Sequence, residues 1–141
     1  YDVIIYDSFV NSSYKVIKAI KSYLDSVGID YKLKTIKGDI RDKSSLGKIF
    51  KDSTKEGNPI QSVIHFAGLK SVSESVKYPL KYWDVNVCGT KNLLEIMKDN
   101  ESYTIVFSSS ATIYGLTNSV PLSEDQKVSP INPYGKTEVA I

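Results

Sequence analysis

Short apolar runs alternate along this chain with longer stretches in which apolar residues recur every three or four positions. The runs are too short for helices and rich in β-branched residues, so they predict buried strands. These strands are Asp2–Tyr6, Leu33–Ile36, Ser62–Phe66 and Tyr103–Phe107. Helices are predicted from a cap at Asn11-Ser12-Ser13 to Val27, from Ser44 to the closing Gly57-Asn58-Pro59, after Pro79 and from Tyr134 onward. The pattern after Pro79 predicts one apolar face with Leu80, Trp83, Val87, Leu93, Leu94 and Met97.

This alternation indicates parallel β–α–β units with right-handed crossovers. The sequence therefore predicts an α/β fold with a doubly wound parallel sheet. Residues 1–141 form a single domain in this interpretation, because the chain shows no internal repeat, low-complexity tract or linker. A loop containing proline and serine is predicted from about Leu116 to Pro133.

The composition does not change the predicted fold, but it argues against several kinds of partner and site. A net charge of +2 without any block of Lys or Arg gives no indication of a nucleic-acid or membrane partner. The single cysteine, Cys88, excludes an internal disulfide and a CxxC-type metal site, and a reducing cytoplasmic setting is expected. No apolar run approaches the ~20 residues needed to span a bilayer.

Polar and small residues follow each predicted strand: Asp7, Asp39, Ala67-Gly68 and Ser108–Ser110. Ligands of such sheets bind at the carboxyl ends of the strands, so these residues locate a candidate site. Asp7 could accept the hydroxyls of an adenosine ribose, or simply form a turn. Ala67-Gly68 could admit a cofactor or be an ordinary turn, and Lys70 could meet a phosphate or solvent.

The three serines Ser108–Ser110 after the fourth strand and Tyr134 at the start of the last helix form the most specific arrangement. A hydroxyl at a strand end and a phenol on the following helix can converge on one substrate hydroxyl. A phenol, with a pKa of about 10, needs nearby positive charge to act as a base at neutral pH. The alternative is a capping serine and a packed tyrosine. His65, the only histidine, is predicted to be a packed or hydrogen-bonded core residue.

Several motifs together resemble the UDP-glucose 4-epimerases of the extended short-chain dehydrogenase/reductase family. The motifs are Gly38-Asp39-Ile40-Arg41, His65-Phe-Ala-Gly-Leu-Lys70, Glu74-Ser75, Pro79-Leu80, Asn86-Val-Cys-Gly-Thr90, Phe107-Ser-Ser-Ser-Ala-Thr-Ile-Tyr-Gly115 and Asn132-Pro-Tyr-Gly135. The similarity runs through essentially the whole chain in the expected order.

The resemblance implies NAD as cofactor, a UDP-hexose as substrate, and a homodimer. Ser110 would hydrogen-bond the sugar 4-hydroxyl and Tyr134 would remove its proton, after which the C4 hydride passes to NAD and returns to the opposite face. Asn86 would contact the cofactor, or else serve as a cap or packing residue. The remaining implied cofactor residues are Asp7, Ser8, Asn11 and Ser12 for the ribose, Asp39 and Ile40 for the adenine, and Phe66, Ala67, Gly68, Leu69 and Lys70 for the pyrophosphate and nicotinamide.

The chain departs from the family at Glu138, where the family has a lysine four residues after the tyrosine. A helix turns by ~100° per residue, so position +4 returns to the face of Tyr134 whereas Lys136 lies nearly opposite. A carboxylate there disfavours a phenolate. Three readings stay open: a weakened or inactive enzyme, a sequence error that lost a lysine, or rescue by another cation.

The resemblance also leads us to expect that a first strand with its Gly-rich loop and a C-terminal substrate domain are missing from this stretch. Residues 1–141 alone are therefore expected to bind NAD poorly and to be inactive. Two alternatives remain for the complete protein. One is another nucleotide-sugar epimerase or dehydratase, and the other is an NAD-binding homologue impaired by Glu138.

Overall fold

A computed structural model describes residues 1–116 and 121–141. Part of the predicted loop from Leu116 to Pro133 therefore lies outside the described residues. In the described ranges the strands are β1 (Asp2–Asp7), β2 (Lys32–Lys37), β3 (Ser62–His65) and β4 (Thr104–Phe107). The helices are α1 (Tyr14–Ser26), α2 (Lys43–Lys55), α3 (Val72–Lys77), α4 (Pro79–Tyr82), α5 (Gly89–Asp99) and α6 (Pro133–Ala140).

The strands pair in parallel, as predicted. β1 pairs with β2 from Asp2↔Lys32 to Asp7↔Lys37, and β3 pairs with β4 from Ser62↔Thr104 to His65↔Phe107. Within the described residues the two pairs form separate two-stranded sheets. Each β–α–β unit thus brings the carboxyl ends of its two strands to a common edge, where the polar residues lie.

Local side chains fix where the helices begin. Ser13 caps α1 by accepting a hydrogen bond from Lys15 N, within the predicted cap region, and Gly28, with φ of 67°, ends that helix. Helix α2 begins before the predicted Ser44-Ser45, because Asp42 provides the cap by accepting from Ser45 N. The periodicity did not predict α3, a six-residue helix capped by Ser71.

The helix predicted after Pro79 is divided into α4, a π-helical segment at Trp83–Cys88, and α5. A π turn holds an extra residue and rotates the apolar face relative to an α-helix. Consequently Leu80 is 81% exposed although it fits the predicted apolar face, whereas Leu93 and Met97 are buried. The single continuous apolar face predicted here is wrong for this reason.

The core lies between α2, α5 and one face of the strands. Its buried side chains are Ile40, Leu46, Phe50, Leu93, Ile96 and Met97. Gly89 admits the side chain of Ile40 at the start of α5, because a Cβ on Gly89 would overlap it. This packing fixes the strand ends relative to the π-helical segment. No helix among the described residues has the length and apolar character needed to cross a membrane.

Candidate functional site

Asp7 forms a tight turn at the end of β1. Its Oδ1 accepts hydrogen bonds from Phe9 N at 2.6 Å and from Ser12 Oγ at 3.0 Å. Phe9 has a left-handed backbone, with φ of 56°, and its ring stacks on Tyr14 at 4.1 Å between centroids. The turn role considered for Asp7 is therefore present. Oδ2 receives none of these bonds, so the same carboxylate retains an acceptor for a ligand hydroxyl.

The loops after β1 and β3 contact each other. Asn11 Nδ2 donates to the carbonyl oxygen of Gly68 at 3.2 Å, and Ser8 Oγ accepts from Val10 N at 3.4 Å. The contact brings the predicted ribose residues beside the Ala67-Gly68 turn, although they belong to different sheets. Phe66, Ala67 and Lys70 are exposed around this turn.

Asp39 follows β2 at the same edge and pairs with Arg41. The guanidinium Nη2 lies 2.7 Å from Asp39 Oδ2, and these hydrogen bonds lower the pKa of the Asp39 carboxyl. The Ile40 side chain points into the core instead. Only the backbone of Ile40 is thus available for the predicted contact with adenine.

Asn86, in the π-helical segment, holds the loop after β3. Its Oδ1 accepts from Leu69 N at 2.8 Å, and its Nδ2 donates to Leu69 O at 2.9 Å. The same Nδ2 lies 3.2 Å from Thr137 Oγ1 on α6. Asn86 is 1% exposed and its side-chain hydrogen bonds go to protein groups, which fits the packing role considered as the alternative to cofactor contact.

His65 belongs to this buried network. Its Nε2 lies 2.8 Å from Thr90 Oγ1, which also donates to Asn86 O. Burial lowers the pKa of the His65 imidazole and favours its neutral form. The prediction of a hydrogen-bonded core histidine is confirmed.

Tyr134 stands in the first turn of α6. Asn132 caps the helix by accepting from Gly135 N at 2.8 Å, and Tyr134 N donates to the buried Ser75 Oγ at 3.1 Å. The phenol ring packs edge-on against Tyr82, with 6.3 Å between centroids. The tyrosine is therefore oriented from two sides while its ring stays half-buried.

Ser110 caps a 3-10 turn at Ala111–Tyr114. Its Oγ accepts from Thr112 N at 3.3 Å and from Thr112 Oγ1 at 2.9 Å. The first turn of α6 rests on this element, since a Cβ on Gly135 would lie 2.7 Å from Thr112 O. The segments carrying Ser110 and Tyr134 are thus in contact. A cavity of about 300 Å³ beside Ser110 is lined also by Tyr114, Leu122, Ser123 and Glu124.

Glu138 lies one turn after Tyr134 and is 9% exposed. Its Oε2 is buried without a hydrogen-bond partner among the described residues. Burial raises the pKa of the Glu138 carboxyl. The charged carboxylate expected from the sequence is therefore disfavoured at this position. Lys136, by contrast, is exposed on the other side of α6, as helical spacing predicts.

Several site residues could not be identified from the sequence. Ser75 and Tyr82 support Tyr134, and Thr137 and Thr90 extend the Asn86 network. Ser75 and Thr90 lie within the matching motifs, which was the only available signal for them. Their roles depend on contacts between segments distant in sequence.

The fold and the strand-end residues define the class: an α/β domain like the NAD-binding Rossmann domain of nucleotide-sugar epimerases. The chain belongs to the family described as GDP-mannose 4,6 dehydratase, which matches residues 1–140.

Several curated relatives are named as UDP-glucose 4-epimerases. The chain is 44% identical over 145 residues to the Bifunctional protein gal10 of Schizosaccharomyces pombe, covering 100% of this chain and 19% of that protein. It is 43% identical over 141 residues to the UDP-glucose 4-epimerase of Dictyostelium discoideum, covering 100% of this chain and 38% of that protein. The chain thus spans well under half the length of these relatives.

Solved structures of an epimerase and a dehydratase also match this chain. The UDP-glucose 4-epimerase of Bifidobacterium longum, in complex with NAD⁺ and UDP, matches with a TM-score of 0.83 and 38% identity over 99% of this chain and 39% of that one. The dTDP-glucose 4,6-dehydratase DesIV of Streptomyces venezuelae, with NAD bound, matches with a TM-score of 0.78 and 26% identity over the same shares of the two chains.

Proposed function

We propose that this chain is the NAD-binding part of an enzyme that epimerises C4 of a UDP-hexose. The observation that carries the proposal is the contact between the segments of Ser110 and Tyr134 beside a strand-end edge suited to a dinucleotide. The names of the relatives support the reaction type.

The described residues fit the cofactor. Asp7 keeps a free carboxylate oxygen for a ribose diol. Gly68 leaves room for the Asn86 side chain that holds the loop after β3, since a Cβ there would lie 3.3 Å from Asn86 Oδ1. Asp39 presents a carboxylate for the base, and the exposed Lys70 continues the surface toward the pyrophosphate. The expected contact of Leu69 with the cofactor does not fit, because its side chain is buried and its backbone N and O are both bonded to Asn86. NAD, when bound, reversibly accepts a hydride from the sugar C4.

The protein supplies position and proton handling. Ser110 Oγ hydrogen-bonds the sugar 4-hydroxyl, and the Tyr134 phenol oxygen takes its proton as the C4–H bond breaks. The proton returns to the oxygen when the hydride is delivered to the opposite face, so the sugar is isomerised without net oxidation. The Ser75 and Tyr82 contacts hold the phenol for this exchange.

Glu138 supports a slow form of this reaction. Burial raises the pKa of the Glu138 carboxyl, and neither form of a carboxyl supplies the positive charge that a lysine would place on this face of the helix, so Tyr134 ionises less readily than it would beside a lysine. An NAD-binding protein without catalysis is the alternative that the same residue supports.

The test uses the full-length protein with UDP-glucose and UDP-galactose, and bound NAD is released by denaturation and measured. We expect NAD to be present and the two sugars to interconvert. Tyr134→Phe and Ser110→Ala should reduce turnover by at least about a hundredfold, the usual contribution of a general base. Tyr103→Phe, at an exposed tyrosine, controls for loss of a phenol.

The product identifies the reaction. An epimerised sugar keeps its mass, whereas a dehydratase product is lighter by one water. Turnover of UDP-glucuronate or an N-acetylated sugar instead would indicate a related epimerase. NAD without turnover of any of these sugars would support the non-catalytic alternative and contradict our proposal.

A further inference from the structure

We propose that Arg41 is a positioning residue that fixes the Asp39 carboxylate as the acceptor for the exocyclic amino group of adenine. The inference rests on the proposed function, because it assumes that the dinucleotide lies along the strand-end edge. It adds to that site a residue, Arg41, that does not itself contact the base.

The placement of the base follows from the neighbouring strand ends. Gly38 N donates to Asp7 O at 3.0 Å, so the residues after β2 lie directly beside the end of β1. Tyr6 Oη also donates to Asp39 O at 2.9 Å. A nucleoside whose ribose hydroxyls bind Asp7 can therefore extend its base toward Asp39.

Arg41 and Asp39 pair through two parallel hydrogen bonds. Arg41 Nε donates to Oδ1 at 3.0 Å and Nη2 to Oδ2 at 2.7 Å. Oδ1 also accepts from Arg41 N at 2.9 Å, so both of its lone pairs are used. Oδ2 has a single donor in these bonds, and its second lone pair is free for a ligand.

The guanidinium is itself held in place. Its Nη1 lies 2.8 Å from Asp84 Oδ2 in the π-helical segment, and Asn92 Nδ2 donates to the Arg41 carbonyl at 3.1 Å. The Asp84 contact fixes the plane of the guanidinium fork, and with it the direction of the free lone pair on Asp39, while the Asn92 contact holds the Arg41 backbone.

This geometry determines which substituent at C6 of a purine the Asp39 carboxylate can bind. The Arg41 pair keeps Asp39 ionised by lowering its pKa, so the carboxylate can only accept hydrogen bonds. An amino group at C6 of a purine is a donor and fits. The oxygen at C6 of hypoxanthine is an acceptor and opposes the carboxylate.

The experiment compares dissociation constants for NAD and nicotinamide hypoxanthine dinucleotide by calorimetry, using the full-length protein freed of bound dinucleotide. We expect NAD to bind at least about tenfold more tightly, the scale of one charge-assisted hydrogen bond. Arg41→Lys keeps the charge but loses the fork, so the preference should fall severalfold. Lys43→Gln, which breaks an exposed ion pair of 2.8 Å with Glu95, should leave it unchanged.

A second variant, Asp39→Asn, tests whether the change in preference comes only from a disturbed structure. Asp39→Asn offers an amide N–H₂ to the hypoxanthine oxygen, so the preference should reverse or disappear. A preference unchanged in Arg41→Lys, or changed equally by Lys43→Gln, overturns the role of Arg41. Equal binding of the two dinucleotides by the unmodified protein also overturns it while leaving the proposed function intact. Binding of neither would contradict the proposed function itself.

Discussion

At the scale of single residues, Glu138 has the largest chemical consequence, because it lies on the face of Tyr134 and is buried without a partner. We expect Glu138→Lys to raise turnover of the full-length protein at least about tenfold, since a nearby ammonium favours the phenolate. The measurement is the initial rate of UDP-glucose epimerisation. Equal rates for both forms would refute this expectation.

A matched variant separates this effect from a general gain of positive charge. Val139 is the next residue on α6 and is 47% exposed. Val139→Lys adds an ammonium to the same helix while pointing it away from the phenol. Its rate should remain that of the unmodified protein, so a comparable increase there would show that the position of the charge is unimportant.

At the scale of secondary structure elements, the π-helical segment connects the cofactor edge to α6 through Asn86. Asn86→Ala removes three hydrogen bonds and leaves Leu69 N and O without their buried partner. We expect a loss of about 2–4 kcal/mol in the free energy of unfolding, as unsatisfied buried groups cost about 1–3 kcal/mol each. Urea denaturation measures this loss in the free energy of unfolding.

Asn92→Ala is the control for Asn86, because Asn92 is only half-buried and its side chain makes an exposed hydrogen bond to Arg41 O. Its cost should stay below about 1 kcal/mol. Similar losses for the two asparagines would contradict the special role assigned to the π-helical segment.

The start of α6 depends on the Asn132 cap. Asn132→Ala should cost about 1 kcal/mol in stability and lower turnover, because the cap fixes the turn that carries Tyr134. Asn132→Ser keeps a capping oxygen and should restore most of both quantities. Thermal denaturation and the epimerase assay check the pair, and a serine variant no better than alanine would argue against capping as the cause.

At the scale of the whole molecule, local patterns predicted the parallel α/β fold and the four strands with small errors at their ends. They failed where segments distant in sequence decide the structure. The periodicity predicts an ordinary helix at Trp83–Cys88, where the structure has a π-helical segment. It also gives no sign that α2 and α5 bury the side chain of Ile40. The contact between Asn11 and Gly68 crosses 57 positions, which no periodicity encodes.

Stability as a function of pH also belongs to the whole molecule, because two buried groups act in opposite directions. Burial raises the pKa of Glu138 from its ordinary 4.5, so its contribution to stability is present below that value and is lost as pH rises through the folded-state pKa. Burial lowers the pKa of His65 from its ordinary 6.5, so stability is lost as pH falls below that value toward the folded-state pKa.

Between about pH 4.5 and 6.5 the two contributions therefore oppose each other, and single substitutions should separate them. Relative to the unmodified protein, Glu138→Gln should become more stabilising as pH rises through this window, by about 1 kcal/mol for each unit of pKa shift. His65→Gln should change in the opposite sense, becoming relatively more stable as pH falls, because it removes the group that the folded state resists protonating. Urea denaturation at several pH values measures both differences, in which the contributions of all other carboxyl groups cancel. A Glu138→Gln difference that is independent of pH would mean that this carboxyl is solvated or paired in the folded protein, which would contradict the burial without a partner seen at this position.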